Sequence, residues 1–144
     1  MVEVLIAGIL LASALAAVSR ISVAALTGSA SLSDRARIEA AINDNIQAMQ
    51  KEDSYYTDAW INDDGGQEAL QNACNNPPET LSNHLQTVAP EPRLATITRT
   101  FDFSSIPGIL RIIYSFEGPE QQVKAEQRII EMTPNFAAKC YSTR

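Results

Sequence analysis

The side chains that could carry chemistry are one histidine, two cysteines and an unevenly spread set of carboxylates. His84 has no Cys or Ser near it in sequence to form a nucleophile–base pair. It falls on the polar face of an expected helix and reads as a surface histidine rather than a general base. Asp58, Asn62, Asp63, Asp64 and Glu68 make an oxygen-rich loop of the kind that can hold calcium. Their spacing lacks the alternating ligands of an EF-hand, so a solvated turn is the reading. One His and two Cys fall short of a zinc site's usual ligand count. No Gly-rich phosphate loop, Ser-His-Asp set or paired-carboxylate motif stands out. The expectation is a chain that is not an enzyme and needs no cofactor or metal. Tyr55, Tyr56 and Trp60 flank a helix end, where aromatics serve the core more often than an adhesive patch. Arg93, Arg99 and Arg111 are scattered along expected strands; a DNA-binding stripe and simple solubility are not distinguished. The net charge of −6 argues against coating nucleic acid, which needs a basic surface.

These residues must be positioned by elements, and the most marked segment is N-terminal. Val4 to Ser19 carries no charge, Arg20 closes the run, and uncharged residues resume from Ile21 to Ser33. The run is long enough to cross, or nearly cross, a bilayer of about 30 Å as a helix. Its Ala and other small residues suit close helix–helix packing. Glu3 is the only acid before Asp34. A carboxylate there costs roughly 3 kcal/mol in hydrocarbon unless it finds a partner or the interface. Secretory signals open with positive charge instead, although Ala14-Leu15-Ala16 resembles a small-residue cleavage site.

Beyond this run, Ile38, Ile42, Ile46 and Met49 form one stripe of an amphipathic helix continuing to about Glu52, with Gly28 as an expected bend. Asn62 to Gly66 reads as a turn and Gln67 to Ala73 as a short helix. Pro77-Pro78 leads into a helix over Glu79 to Val88, with Leu81, Leu85 and Val88 on one face. Strands are expected over Leu94–Phe101, Ile109–Phe116 and Val123–Met132. In the last, Val123, Ala125, Gln127 and Ile129 are expected on the inner face. An antiparallel meander with one apolar face needs a cover, and the Ile38–Met49 stripe can supply it.

Val2-Glu3-Val4-Leu5-Ile6-Ala7-Gly8-Ile9-Leu10-Leu11-Ala12 resembles the N-terminal helix of type IV pilins and pseudopilins. Met1 stands directly before Val2, where that family carries a Gly and an aromatic residue. The resemblance implies that Glu3 neutralises the terminal ammonium of a neighbouring subunit during assembly. Opposite charges attract strongly at low dielectric, and either one alone is costly there. Val4, Leu5, Ile6, Ile9, Leu10 and Leu11 become the filament-core helix. In an exported domain Cys74 and Cys140 suggest one disulfide, as pilins commonly show, the alternative being two unpaired thiols in a reducing compartment. The implied fold is α+β: a long N-terminal helix, membrane-spanning in its first half and amphipathic in its second, packed on a pilin-like antiparallel sheet of 3–4 strands. The implied domains are a transmembrane or filament-core helix over 1–30 and a globular head over 31–144.

The leading functional expectation is a minor pilin of a type IV pilus. It would be a single-pass inner-membrane protein before assembly and part of an extracellular pilus afterwards. The implied partners are other pilin subunits, the membrane before assembly, a prepilin peptidase and assembly platform, and DNA or surfaces at the pilus. The alternatives are a pseudopilin of a type II secretion system and, from another class, a secreted or membrane-anchored binding protein with an uncleaved signal.

Overall fold

The structure is a computed structural model that describes residues 2–119 and 125–140; within 2–27 it describes side chains only at Leu15, Val18, Ser19, Arg20, Ser22 and Leu26. In chain order the elements are α1 (Val2–Tyr55), α2 (Asp58–Asn75), α3 (Pro77–Val88), β1 (Thr98–Asp102), β2 (Leu110–Phe116), β3 (Glu126–Met132) and α4 (Ala137–Cys140). The chain divides into two compact units, Met1–Arg37 and Ile38–Arg144.

In the first unit α1 passes through Gly28 without a break, so the expected bend is not formed. The membrane-spanning half assigned to this helix is corrected: among the described residues no helix is long and apolar enough to cross a membrane. The described side chains give a physical reason. Ser19, Arg20 and Ser22 alternate with Leu15, Val18 and Leu26, and hydrocarbon disfavours the Arg20 charge. The single-pass inner-membrane placement loses its support with it. The fold class is α+β with a three-stranded antiparallel sheet.

The second unit holds its own core. The sheet order is β1-β2-β3, a simple meander. On β2 the pleat buries Leu110, Ile112, Tyr114 and Phe116 and turns Arg111, Ile113 and Ser115 the other way. Opposite them, Leu110 pairs with Met132 and Ile112 with Ile130, which puts Ile130 and Met132 on the inner face. Ile129 is exposed, so β3 has the phase opposite to the one expected. Two adjacent isoleucines make either phase apolar enough, and the pairing with β2 decides. Val123 and Lys124 lie outside the described residues. β1 starts only at Thr98, because Leu94 to Ile97 turns back on itself with the Ile97 N–H donating to the Leu94 carbonyl at 3.0 Å.

The cover is the second half of α1. Ile42 and Met49 are fully buried and Ile46 nearly so, in one cluster with the inner face of the sheet and with Leu81 and Leu85 of α3. Val88 stays exposed at the end of α3, and Ala89 is buried in its place. α2 occupies the segment expected as an aromatic stretch and a turn. The Thr57 hydroxyl caps its start by accepting from the Trp60 N–H at 3.2 Å. The helix is kinked at Gly66, whose φ of 74° is open to glycine at little cost.

A polar group fixes the cover to the sheet. Arg99 sits on the inner face of β1, with its side chain only 1% exposed. Its guanidinium donates to Asn45 Oδ1 at 3.1 Å and to the Pro90 carbonyl at 2.9 Å. Asn45, itself buried, donates to the same Pro90 carbonyl at 2.7 Å and accepts from the Tyr114 hydroxyl at 2.9 Å. Three elements and the turn after α3 thus meet on one amide.

Replacing Asn45 with Leu removes one acceptor from a buried guanidinium and the partner of a buried phenol, and should cost about 2–4 kcal/mol. Tyr114→Phe removes one neutral donor, and should cost about 1 kcal/mol. Urea unfolding at neutral pH measures both, and equal effects would sink the idea that Asn45 is the junction. Burial pushes the Tyr114 phenol up to about 12 against the pull of nearby Arg99, while an unfolded tyrosine ionises near ~10. Folding therefore favours the neutral phenol. That contribution is full below pH ~10 and disappears as pH rises toward 12. The alkaline loss of stability should be smaller in Tyr114→Phe, as thermal melts between pH 9 and 12 would show.

Candidate functional site

The site residues named from sequence fall into two sets. Glu3, Val4, Leu5, Ile6, Ile9, Leu10 and Leu11 belong to α1, and their side chains lie outside the described residues. Cys74 and Cys140 are bonded as a disulfide, with Cα atoms 5.4 Å apart. The bond joins the last turn of α2 to α4 across 66 residues of sequence.

Three further contacts hold the segment that ends in Cys140. Pro134 and Phe136 are buried in the core. The Asn135 N–H donates to Asp53 Oδ1 at 3.1 Å, near the end of α1. Burial raises the Asp53 carboxyl above its ordinary range, and this one N–H partly offsets it. A cavity of about 660 Å³ opens beside the disulfide, between the end of α2 and Thr133 to Ala138. Its walls are backbone, asparagine, proline and alanine with the Thr133 hydroxyl and the bonded cysteines, and no base among them could activate that hydroxyl.

The aromatic residues part company. Tyr55 is exposed, Tyr56 is buried, and Trp60 is 45% exposed. His84 is not a free surface histidine, because its ring stacks on Tyr56 at 3.8 Å between centroids. Trp60 meets His84 edge-on at 5.4 Å, and Phe136 meets Tyr56 edge-on at 5.5 Å. Burial pulls the imidazole below its usual range, with Glu52 opposing. A second cavity, of about 380 Å³, runs along the kink of α2 beside Tyr56 and Trp60.

The arginines do not form a stripe. Arg93 is exposed and lies 3.6 Å from Asp44. Arg99 is turned inward, as described above. Arg111, on the outer face of the sheet, lies 3.5 Å from Asp102 and 3.8 Å from Glu131. Asp102 is held down to about 2 by the hydroxyls and N–H groups of Ser104 and Ser105. Among the described residues no group of three His, Cys, Asp or Glu is placed to hold a metal ion. Arg99 was missed as a structural residue. The period of two that makes Phe101 inward makes Arg99 inward as well, and that signal was present in the sequence.

Closing a loop of this length by a disulfide stabilises by roughly 4 kcal/mol on the chain-entropy model. The paired variant Cys74→Ser with Cys140→Ser should lose most of that amount in urea unfolding, and reduction of the parent chain should produce the same loss. A change under ~1 kcal/mol in both would mean that Pro134, Phe136 and Asp53 hold the segment alone. In comparisons with known proteins, no family model matches the chain, and no curated protein and no solved structure matches it.

Proposed function

We propose that this chain is a filament subunit of the type IV pilin kind, a minor pilin, which assembles with other subunits through its N-terminal helix and catalyses no reaction. The observation that carries the reading is the uncovered apolar surface of α1. Leu15, Val18 and Leu26 are 62, 60 and 71% exposed. At 100° per residue they fall on one side of the helix. The two serines on that side make few outside demands, while Arg20 points from another side of the helix. The Ser19 hydroxyl donates to the Leu15 carbonyl at 2.9 Å and the Ser22 hydroxyl to the Val18 carbonyl at 3.0 Å. A helix whose hydroxyls are satisfied internally can pack against a copy of itself without burying unpaired groups.

The disulfide supports an oxidising environment outside the cytoplasm, where such bonds persist. The lone acid of the leading segment supplies register. Glu3 is most stable beside an amine of a neighbouring subunit, and a subunit one step out of place leaves both charges unpaired. A prepilin peptidase and an assembly platform are the partners this reading requires. Filament-side contacts with DNA or surfaces belong to the same reading.

The test is incorporation into sheared filaments by cells that carry the assembly machinery. Glu3→Ala should cut incorporation at least about ten-fold, the factor that 1.4 kcal/mol in register energy supplies. Leu26→Lys should reduce it as well while leaving the melting temperature of the second unit unchanged. Normal incorporation of Glu3→Ala would rule out the register role, and absence of the parent chain from every filament fraction would rule out the subunit itself.

A further inference from the structure

The 380 Å³ cavity along the kink of α2 has walls of mixed chemistry, including Tyr56, Trp60, Asp64, Gly65, Asn72 and Thr80. Trp60 and Tyr56 meet at 5.2 Å with their planes 56° apart, so the two rings form a corner rather than a stack. His84 lies flat on Tyr56 and edge-on to Trp60. That contact orients both rings before any ligand arrives. The other wall depends on glycine. A Cβ at Gly65 would come within 2.6 Å of the Ala69 Cβ. Only a residue without one lets the two halves of α2 close this tightly.

Asp64 puts a carboxylate in the cavity wall. It lies close enough to Tyr56 that, after burial, its charge helps hold the phenol above its ordinary range. The segment it belongs to, Glu52 to Pro92, carries eight Asp or Glu and no Lys or Arg.

We propose that this cavity binds an organic ammonium group, held between the indole face of Trp60 and the carboxylate of Asp64. Aromatic faces attract cations through their quadrupole, Trp most strongly, and the attraction grows when the cation is shielded from water. A bare metal ion is a poorer fit, because it needs several oxygen ligands, and among the described residues no such cluster exists. A neutral sugar also stacks on indole, but it gains nothing from the charge of Asp64. A primary or quaternary ammonium on a small organic molecule matches the aromatic corner and the carboxylate together. The Asn72 amide and Thr80 hydroxyl remain for hydroxyl or carbonyl groups carried on the same ligand. This inference stands independently of filament assembly.

Trp60 is the only tryptophan of the chain, so its fluorescence reports on this site alone. Tetramethylammonium chloride is titrated into the full chain at ionic strength held constant with sodium chloride. A saturable change in emission is expected. Asp64→Asn should weaken it about three-fold or more, the size of an exposed charge contact. Asp58→Asn, in the same acidic segment but not in the cavity wall, should leave it within about two-fold. Asp64 is exposed, and an unchanged melting temperature confirms that the variant is folded. An equal response to sodium chloride alone, an unaltered affinity in Asp64→Asn, or saturable binding of glucose in place of the ammonium would each overturn the proposal.

Discussion

A guanidinium buried in an apolar interior loses several kcal/mol of hydration unless its donors are met. Arg99 is in that position: its two terminal nitrogens find acceptors, while its equally buried Nε has no hydrogen-bond partner among the described residues. Its carboxylate neighbour, Glu91 at 3.3 Å, is itself 79% exposed and so contributes little by charge alone. The neutral acceptors matter more. Asn45 comes from α1, the Pro90 and Ala89 carbonyls from the turn after α3, and the ring of Phe101 lies 5.1 Å from the guanidinium carbon. None can move without leaving a buried charge short of a partner. The register of β1 on β2 follows, because Arg99 pairs across the sheet with Tyr114 and both reach the same Asn45 oxygen. A slip of one residue would turn Arg99 to the outer face and leave Asn45 and Tyr114 facing each other alone.

The same region explains why α2 and α3, with few large apolar residues between them, stay in place. α3 contributes Leu81 and Leu85 to the core, and α2 contributes Ile61 and Ala73. Covalent and aromatic ties make up the difference. The disulfide holds the end of α2 to the segment after β3, and Phe136 of that segment reaches back to Tyr56 beside the start of α2. His84 of α3 stacks on the same Tyr56. The two ends of α2 are therefore anchored separately, which is what a helix broken at Gly66 requires.

What could be read from the sequence divides along physical lines. The Ile38–Met49 stripe, the β2 strand and the helix after Pro77 were legible because each is set by local periodicity and punctuation. The paired cysteines were legible because the chain holds just two. The parts that were misread are those in which tertiary context overrode a local signal. Asn62 to Gly66 reads as a turn because Asn, Asp and Gly crowd it. The Thr57 cap and the burial of Ile61 made it helical up to the kink. Arg99 reads from sequence as part of a DNA-binding stripe or as a solubility residue, both outward, because charged residues are seldom buried, although its alternation with Thr98 and Thr100 pointed inward. Val88 shares the face of Leu81 and Leu85, but it sits where α3 runs past its cover, which no periodicity records.

The division of labour between the two units follows from where the apolar surface goes. In the second unit Ile42, Met49, Leu85, Ile112, Tyr114 and Phe136 are covered by residues of that unit itself. Its stability asks nothing of a neighbour. In the first unit Leu15, Val18 and Leu26 are 62, 60 and 71% exposed, and apolar surface left in water costs about 25 cal/mol per Å². The second unit avoids that cost internally, because the Ile42–Met49 stripe of α1 and the inner face of β2 lie in one buried cluster.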